Sequence, residues 1–152
     1  MNIRRTKSND ISSLMLVLHQ TQLFPKEMLP DMIGSSLDGQ SDTDIWLTCE
    51  QNGTAVGFCY AVPEKLAEGT WNMLALAVLP SLQGQGVGRA LVQELESILR
   101  KAGHRVLIAD TSGDKAFDGT RAFYSRICYA EEARIRDFWA SGNDKVVFWK
   151  AL

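Results

Sequence analysis

Residues 78–89 read Val78-Leu79-Pro80-Ser81-Leu82-Gln83-Gly84-Gln85-Gly86-Val87-Gly88-Arg89, and this stretch decides the fold. Upstream of it, Trp71 to Leu79 is nearly all apolar, as suits a strand buried on both faces. Downstream, from Gly84 to Ala102, Val87, Ala90, Leu91, Leu95, Ile98, Leu99 and Ala102 recur at the three-and-four spacing of one helix face. Gly103 is placed to end that helix. Pro80 has no N–H and stops a strand ladder. Glycines at three alternate positions let the backbone approach a ligand and turn its amides inward. The first helical turn adds unpaired N–H groups and the positive end of the dipole, so the junction predicts an anion site suited to phosphate. Arg89 is a candidate charged donor to it.

Outward from this junction the chain alternates in period. Residues 2–6 read as a short strand. Asn9 or Asp10 is a candidate cap for a helix to about His19, with Ile11, Leu14, Met15 and Leu18 on one face. Phe24 to Leu37 reads as a second helical region broken by Pro25 and Pro30, and Gly39 to Asp42 as a polar loop. Ile45 to Glu50 and Ala55 to Val62 read as strands. The Gln51-Asn52-Gly53 between them is a hairpin signal, because Asn and Gly tolerate positive φ. Arg105 to Ala109 is a further strand, Phe117 to Ile127 a helix with Asp118 as candidate cap. Tyr129 to Phe138 and Val146 to Lys150 are two last strands, turning at Ser141 to Asp144. The expected fold is one α/β (α+β) domain over residues 1–152, with a mixed, largely antiparallel sheet of six or seven strands flanked by about four helices.

Bulk properties agree with a globular chain. There are 152 residues, 45% hydrophobic and 22% charged, a length that fits one domain. Sixteen basic and 18 acidic residues give −2, without the basic excess of a nucleic-acid footprint. The charge is uneven: Gln20 to Thr70 holds eight acids and two bases, and the remainder is basic on balance. Cys49, Cys59 and Cys128 are odd in number and form no CxxC, so neither a disulfide framework nor a zinc site is expected, and a reducing compartment is. His19 and His104 have no metal-ligand partner in the sequence, and no metal is expected. The longest apolar run, Met73 to Leu79, is too short to span a bilayer, and the N-terminus lacks a cleavage site. A cytoplasmic protein with no membrane partner is the expectation.

Which phosphate ligand the loop takes is narrowed by elimination. A P-loop requires a lysine that is not there. A dinucleotide fingerprint fits Gly84 and Gly86 but meets Arg89 where its third glycine belongs. Asp110 mimics the acidic ribose ligand, yet only 64 residues follow Gly88, few for a doubly wound sheet. A redox domain of this kind is one alternative, and a non-catalytic binding module is another.

At these residues the sequence resembles the GNAT superfamily of acyl-CoA-dependent N-acetyltransferases. Its Gln/Arg-x-x-Gly-x-Gly/Ala signature is matched by Gln83, Gly86 and Gly88. A second match is Arg121-Ala122-Phe123-Tyr124-Ser125-Arg126-Ile127-Cys128-Tyr129, similar to the family's helix ending in Phe-Tyr, although Cys128 stands where glycine is usual. The resemblance covers about residues 45–150. It implies acetyl-CoA as co-substrate, its pyrophosphate on Gln83, Gly84, Gln85, Gly86, Val87, Gly88 and Arg89. It also implies a splayed strand, Leu76, Ala77 and Val78, whose backbone binds the pantetheine and polarises the thioester. Residues 71–127 would form the acetyl-CoA-binding core and 20–44 an acceptor-side helical segment.

Acetyl transfer to an amine needs a base for the amine's proton and an acid for the departing thiolate. A thiol has a pKa of about 8.5 and a phenol of about 10, so a placed tyrosine can serve as the acid. Tyr124 matches the family's acid position, and with neighbours about 100° apart on a helix, Phe123 is expected to face the core and Tyr124 the cleft. Glu64 is the candidate base, with Glu68, Asn72 and Asp110 as acceptor-side candidates. Asp110-Thr111-Ser112-Gly113 follows a strand at its carboxyl end, where ligands of α/β sheets bind. Trp46, Trp71, Trp139 and Trp149 read as strand aromatics at core spacing, with Trp71 or Phe138 as alternatives for an acceptor wall. The acidic bias of residues 20–70 points to a cationic amine acceptor, small or on a peptide. The family's frequent dimers and the aromatic-rich last strands leave a homodimer open.

Overall fold

The computed structural model describes residues 1–37 and 43–152. The polar loop expected at Gly39 to Asp42 therefore lies outside the described residues, as do Asp38 and Asp42 of the acidic segment. The described chain forms β1 (Asn2–Arg5), α1 (Ile11–Thr21), α2 (Leu29–Leu37), β2 (Ile45–Gln51), β3 (Thr54–Pro63), β4 (Thr70–Val78), α3 (Val87–Lys101), β5 (Val106–Ser112), α4 (Asp118–Arg126), β6 (Ala130–Ala140) and β7 (Asn143–Ala151). The sheet order is β1-β2-β3-β4-β5-β7-β6. The pairs β1–β2, β2–β3, β5–β7 and β6–β7 are antiparallel, and β4–β5 is parallel. This is the mixed sheet expected. The antiparallel neighbours rule out the doubly wound sheet that a dinucleotide-binding redox domain requires.

Local chemistry accounts for most element boundaries. Asn52 and Gly53 turn β2 into β3 with φ of 51° and 77°, the primed geometry that matches strand twist. Helix α3 ends in a Schellman motif: Gly103, at φ 83°, donates to Arg100 O (3.0 Å) and His104 to Leu99 O (3.0 Å). Asp10 stands before α1, but its carboxylate caps nothing in that helix. It accepts from Lys7 N (2.8 Å) and from Arg4 (2.7 and 2.9 Å), so a half-buried guanidinium has taken the expected cap. Pro30 does not break the second helical region; it sits in the first turn of α2, where a missing N–H costs nothing. Asp118 is inside α4 and paired with Arg121, while Phe117 holds the cap position.

Two compact units share the sheet, residues 1–62 with 74–98, and 63–73 with 99–152, and the division passes through β4 after Met73. In the first, Leu14, Val17 and Leu18 of α1 and Leu29 and Ile33 of α2 cluster with Trp46, Phe58, Ala75 and Ala77. Each such aliphatic side chain contributes about 1.5–3 kcal/mol on burial. In the second, Leu99, Leu107, Ala109, Val146 and Phe148 are buried. Trp139 (49% exposed) and Trp149 (37%) are not core residues, contrary to expectation, whereas Trp46 and Trp71 are. β4 is also less enclosed than its composition predicts: Leu74 is 51% exposed.

Candidate active site

The glycine loop belongs to the first unit. Its conformation begins where β4 ends: Leu79 N donates to Val56 O (2.9 Å), Pro80 starts a single 3₁₀ turn, and Gln83 Nε2 reaches back to Val78 O (3.1 Å). Gly84 and Gly86 then take φ of 75° and 87°, which only glycine adopts without strain. A Cβ at either would meet nothing within 4 Å, so the glycines serve backbone shape rather than packing. Ala90 N donates to Gly86 O (3.0 Å), opening the helical ladder; the amides of Val87, Gly88 and Arg89 precede it and carry the positive end of α3. Helix α3 begins at Val87, three residues later than its apolar pattern predicts, because the two positive-φ glycines cannot be helical. The ladder from β4 to β5 runs from Thr70 to Met73 and ends there, so Leu76, Ala77 and Val78 lie past it. These backbone groups fit a phosphate-bearing, amide-rich ligand.

The same unit carries an open cavity of about 500 Å³ at the end of α1, lined by Leu18, His19, Leu23, Phe24, Lys26 and Glu27 among others. Most of its lining falls in residues 20–44, the segment expected on the acceptor side, where the sequence carries no readable motif.

The second unit gathers the candidate base, Glu64, and two of the acceptor-side candidates, Asn72 and Asp110. Parallel pairing sets Asn72 opposite Ile108, which brings Asp110 of β5 to the same face. Asn72 Nδ2 donates to Glu64 Oε1 (2.9 Å) and lies 3.4 Å from Asp110 Oδ2. Asn72 is only 5% exposed. Lys145 of β7, which sequence reasoning did not single out, places its ammonium 3.2 Å from Asp110 Oδ2. Its signal was non-local: only the antiparallel register Ser112 with Lys145 puts it beside Asp110. Glu68 is not part of this group. It is exposed, and its carbonyl accepts from Arg105 (Nε, 3.0 Å) on a separate loop. Among the described residues no cluster of three or more His, Cys, Asp or Glu is placed for a metal ion.

Tyr124 is also in the second unit, on α4. Its ring stacks on Phe148 (5.1 Å) and meets Tyr129 (5.7 Å) and Phe123 (5.3 Å) edge-on. Tyr124 is buried and Phe123 half-buried, the reverse of the expected division between them. The chain after α4 turns by a second Schellman motif, with Cys128 N on Ser125 O (3.1 Å) and Tyr129 N on Tyr124 O (3.0 Å). Cys128 holds the left-handed position at φ 70°, so the cysteine preserves the turn that glycine usually makes.

The family model for the acetyltransferase (GNAT) family matches residues 13–128, from α1 through both motifs. The chain belongs to this family. No curated protein matches the sequence significantly. Among solved structures, a GNAT-family protein from Desulfovibrio desulfuricans is 26% identical over 99% of this chain and 98% of its own, with a TM-score of 0.92. The ribosomal-protein-S18-alanine N-acetyltransferase from Escherichia coli is 19% identical, covering 99% and 92%, at 0.79. PaiA N-acetyltransferase from Thermoplasma acidophilum, solved in complex with coenzyme A, is 18% identical, covering 99% and 98%, at 0.76. GNAT membership thus reaches further upstream than the two motifs, taking in α1 and α2. It makes acetyl transfer the activity class.

Proposed function

We propose that this protein transfers an acetyl group from acetyl-CoA to a primary amine of a cationic small molecule or peptide, by direct attack. The observation that carries the acceptor class is the gathering of Glu64, Asn72 and Asp110 on one face, two carboxylates joined by one amide. The amides and backbone of Gln83, Gly84, Gln85, Gly86, Val87, Gly88 and Arg89 hold the pyrophosphate, and those of Leu76, Ala77 and Val78 the pantetheine arm. Glu64 takes the proton that the amine must lose; Asn72 fixes one of its oxygens and leaves the other for the acceptor. Tyr124 supplies the proton for the thiolate.

The test is thiol release from acetyl-CoA against a panel of cationic, neutral and anionic amines, beside calorimetric titration of acetyl-CoA. Tyr124→Phe and Glu64→Gln are each expected to lower kcat about 100-fold or more, with acetyl-CoA binding retained. Undiminished turnover of either variant removes that residue from its role. Binding without transfer to any amine favours a CoA-binding module. Faster reaction of neutral or anionic acceptors refutes the cationic preference.

A further inference from the structure

The Lys145 ammonium lies between a carboxylate and an aromatic face: 3.2 Å from Asp110 Oδ2 and 4.4 Å from the centroid of the Phe138 ring. That pairing is how proteins bind alkylammonium ions. The second unit therefore contains a built cation subsite with its own lysine inside it. Phe138 is held at the subsite by the backbone. Asp137 before it takes φ 54°, its N–H donates to Asp144 Oδ1 (3.0 Å), and its carboxylate accepts from Gly142 N (2.8 Å).

Two further atoms at the cluster lack donors. Asn72 Oδ1 and Asp110 Oδ1 are buried and have no hydrogen-bond partner among the described residues. Turning the Asn72 amide over would press its oxygen against Glu64 and Asp110, so its orientation is set and the acceptor stays unused. Buried polar atoms in this state cost free energy until a donor arrives. Two carboxylates and one ammonium sum to −1, which one more positive charge balances.

We infer that Lys145 is a specificity-determining residue that sets how many positive charges the acceptor carries. By filling the Asp110–Phe138 subsite it leaves charge for a single ammonium at Glu64 and Asn72. The preferred acceptor is then a monoamine rather than a diamine. Lys145→Met keeps the unbranched stem, removes the charge, and opens Asp110 and Phe138 to a second ammonium. The inference rests on the proposed reading that this cluster faces the acceptor.

The test uses binding, so it does not depend on turnover. The probes are n-butylamine and 1,4-diaminobutane, both fully protonated at pH 7, titrated calorimetrically into the CoA-loaded protein. The wild type is expected to bind the diamine no better than the monoamine. Lys145→Met should gain about tenfold for the diamine, about 1.4 kcal/mol, with the monoamine within about twofold. Lys145→Arg, which keeps a cation in place, should retain the wild-type ratio. Asp110→Asn added to Lys145→Met should abolish the gain. An unchanged ratio in Lys145→Met, a gain that survives Asp110→Asn, or a wild type that already prefers the diamine overturns the inference. Should Lys145→Met not fold, Lys145→Gln against Lys145→Arg makes the same comparison. Thiol release with acetyl-CoA and the same probes reads the proposed function separately: its silence refutes transfer to these amines, while the binding ratio still decides the role of Lys145.

Discussion

Replacing Cys128 by glycine should stabilise the protein, although it deletes a side chain. Cys128 is the one residue between α4 and β6 that must turn left-handed, at φ 70°, and its Cβ then crowds the following carbonyl. That conformation costs a residue with a Cβ about 1–2 kcal/mol. Glycine relieves it and returns about 0.5–1 kcal/mol through the greater freedom of its unfolded chain. Cys128 is exposed, so little burial is lost. The net expectation is a gain of about 0.5–1 kcal/mol, or about 1–4 °C in Tm for a chain of this size. Urea unfolding followed by tryptophan fluorescence measures it, with an unchanged m-value as the sign that the same surface unfolds. Cys128→Ala is the control: it removes the thiol and keeps the Cβ, so it should gain nothing. Equal gains for alanine and glycine would show that the thiol, not the backbone, carries the cost. A loss for glycine would refute the strain argument outright.

The close approach of β3 to β4 predicts the opposite sign at another glycine. A Cβ on Gly57 would lie 2.8 Å from Ala77 O and 3.3 Å from Val78, so Gly57→Ala should cost about 1–3 kcal/mol by urea unfolding. On the proposed placement of the pantetheine arm along Ala77 and Val78, it should also weaken acetyl-CoA binding, because those residues shift with it. The Arg4 guanidinium hydrogen-bonded to Asp10 holds that carboxyl below its usual range, against the opposing effect of burial. A depressed carboxylate contributes stability above its unfolded pKa of about 3.9 and loses it as pH falls through the folded value. Asp10→Asn should therefore destabilise the protein by about 1.5–3 kcal/mol at pH 7 and flatten the loss of stability below about pH 4; equal acid sensitivity of variant and parent would contradict this.

How much of this was legible in the sequence follows from the range of each interaction. The Asn52-Gly53 hairpin, the Gly103 cap and the glycine loop after β4 were readable because their chemistry is local to a few residues. Three site candidates, Glu64, Asn72 and Asp110, were readable as residue types at strand ends, but their gathering was not: it depends on the parallel register of β4 with β5. Lys145 needed a second non-local register, that of β5 with β7. The reversed burial of Phe123 and Tyr124 was hidden for a similar reason. Helical spacing separates the two rings, but only the placement of Phe148 on β7 says which of them is stacked and buried. Asp10 was misread as a cap because Arg4, from a strand, competes for its carboxylate.

The strand β6 carries one more consequence. It closes the sheet order, runs eleven residues and is exposed along its whole length, the dimensions of a template for uncontrolled strand addition. Its pairing with β7 slips in register between Glu131 and Ala133 and again between Ile135 and Ala140, and Asp137 turns left-handed within it. Five charged side chains, Glu131, Glu132, Arg134, Arg136 and Asp137, stud the same edge. A neighbouring strand would find no straight, uncharged run to extend, so the kink that presents Phe138 to Lys145 also guards the molecule against fibril-like growth from this edge.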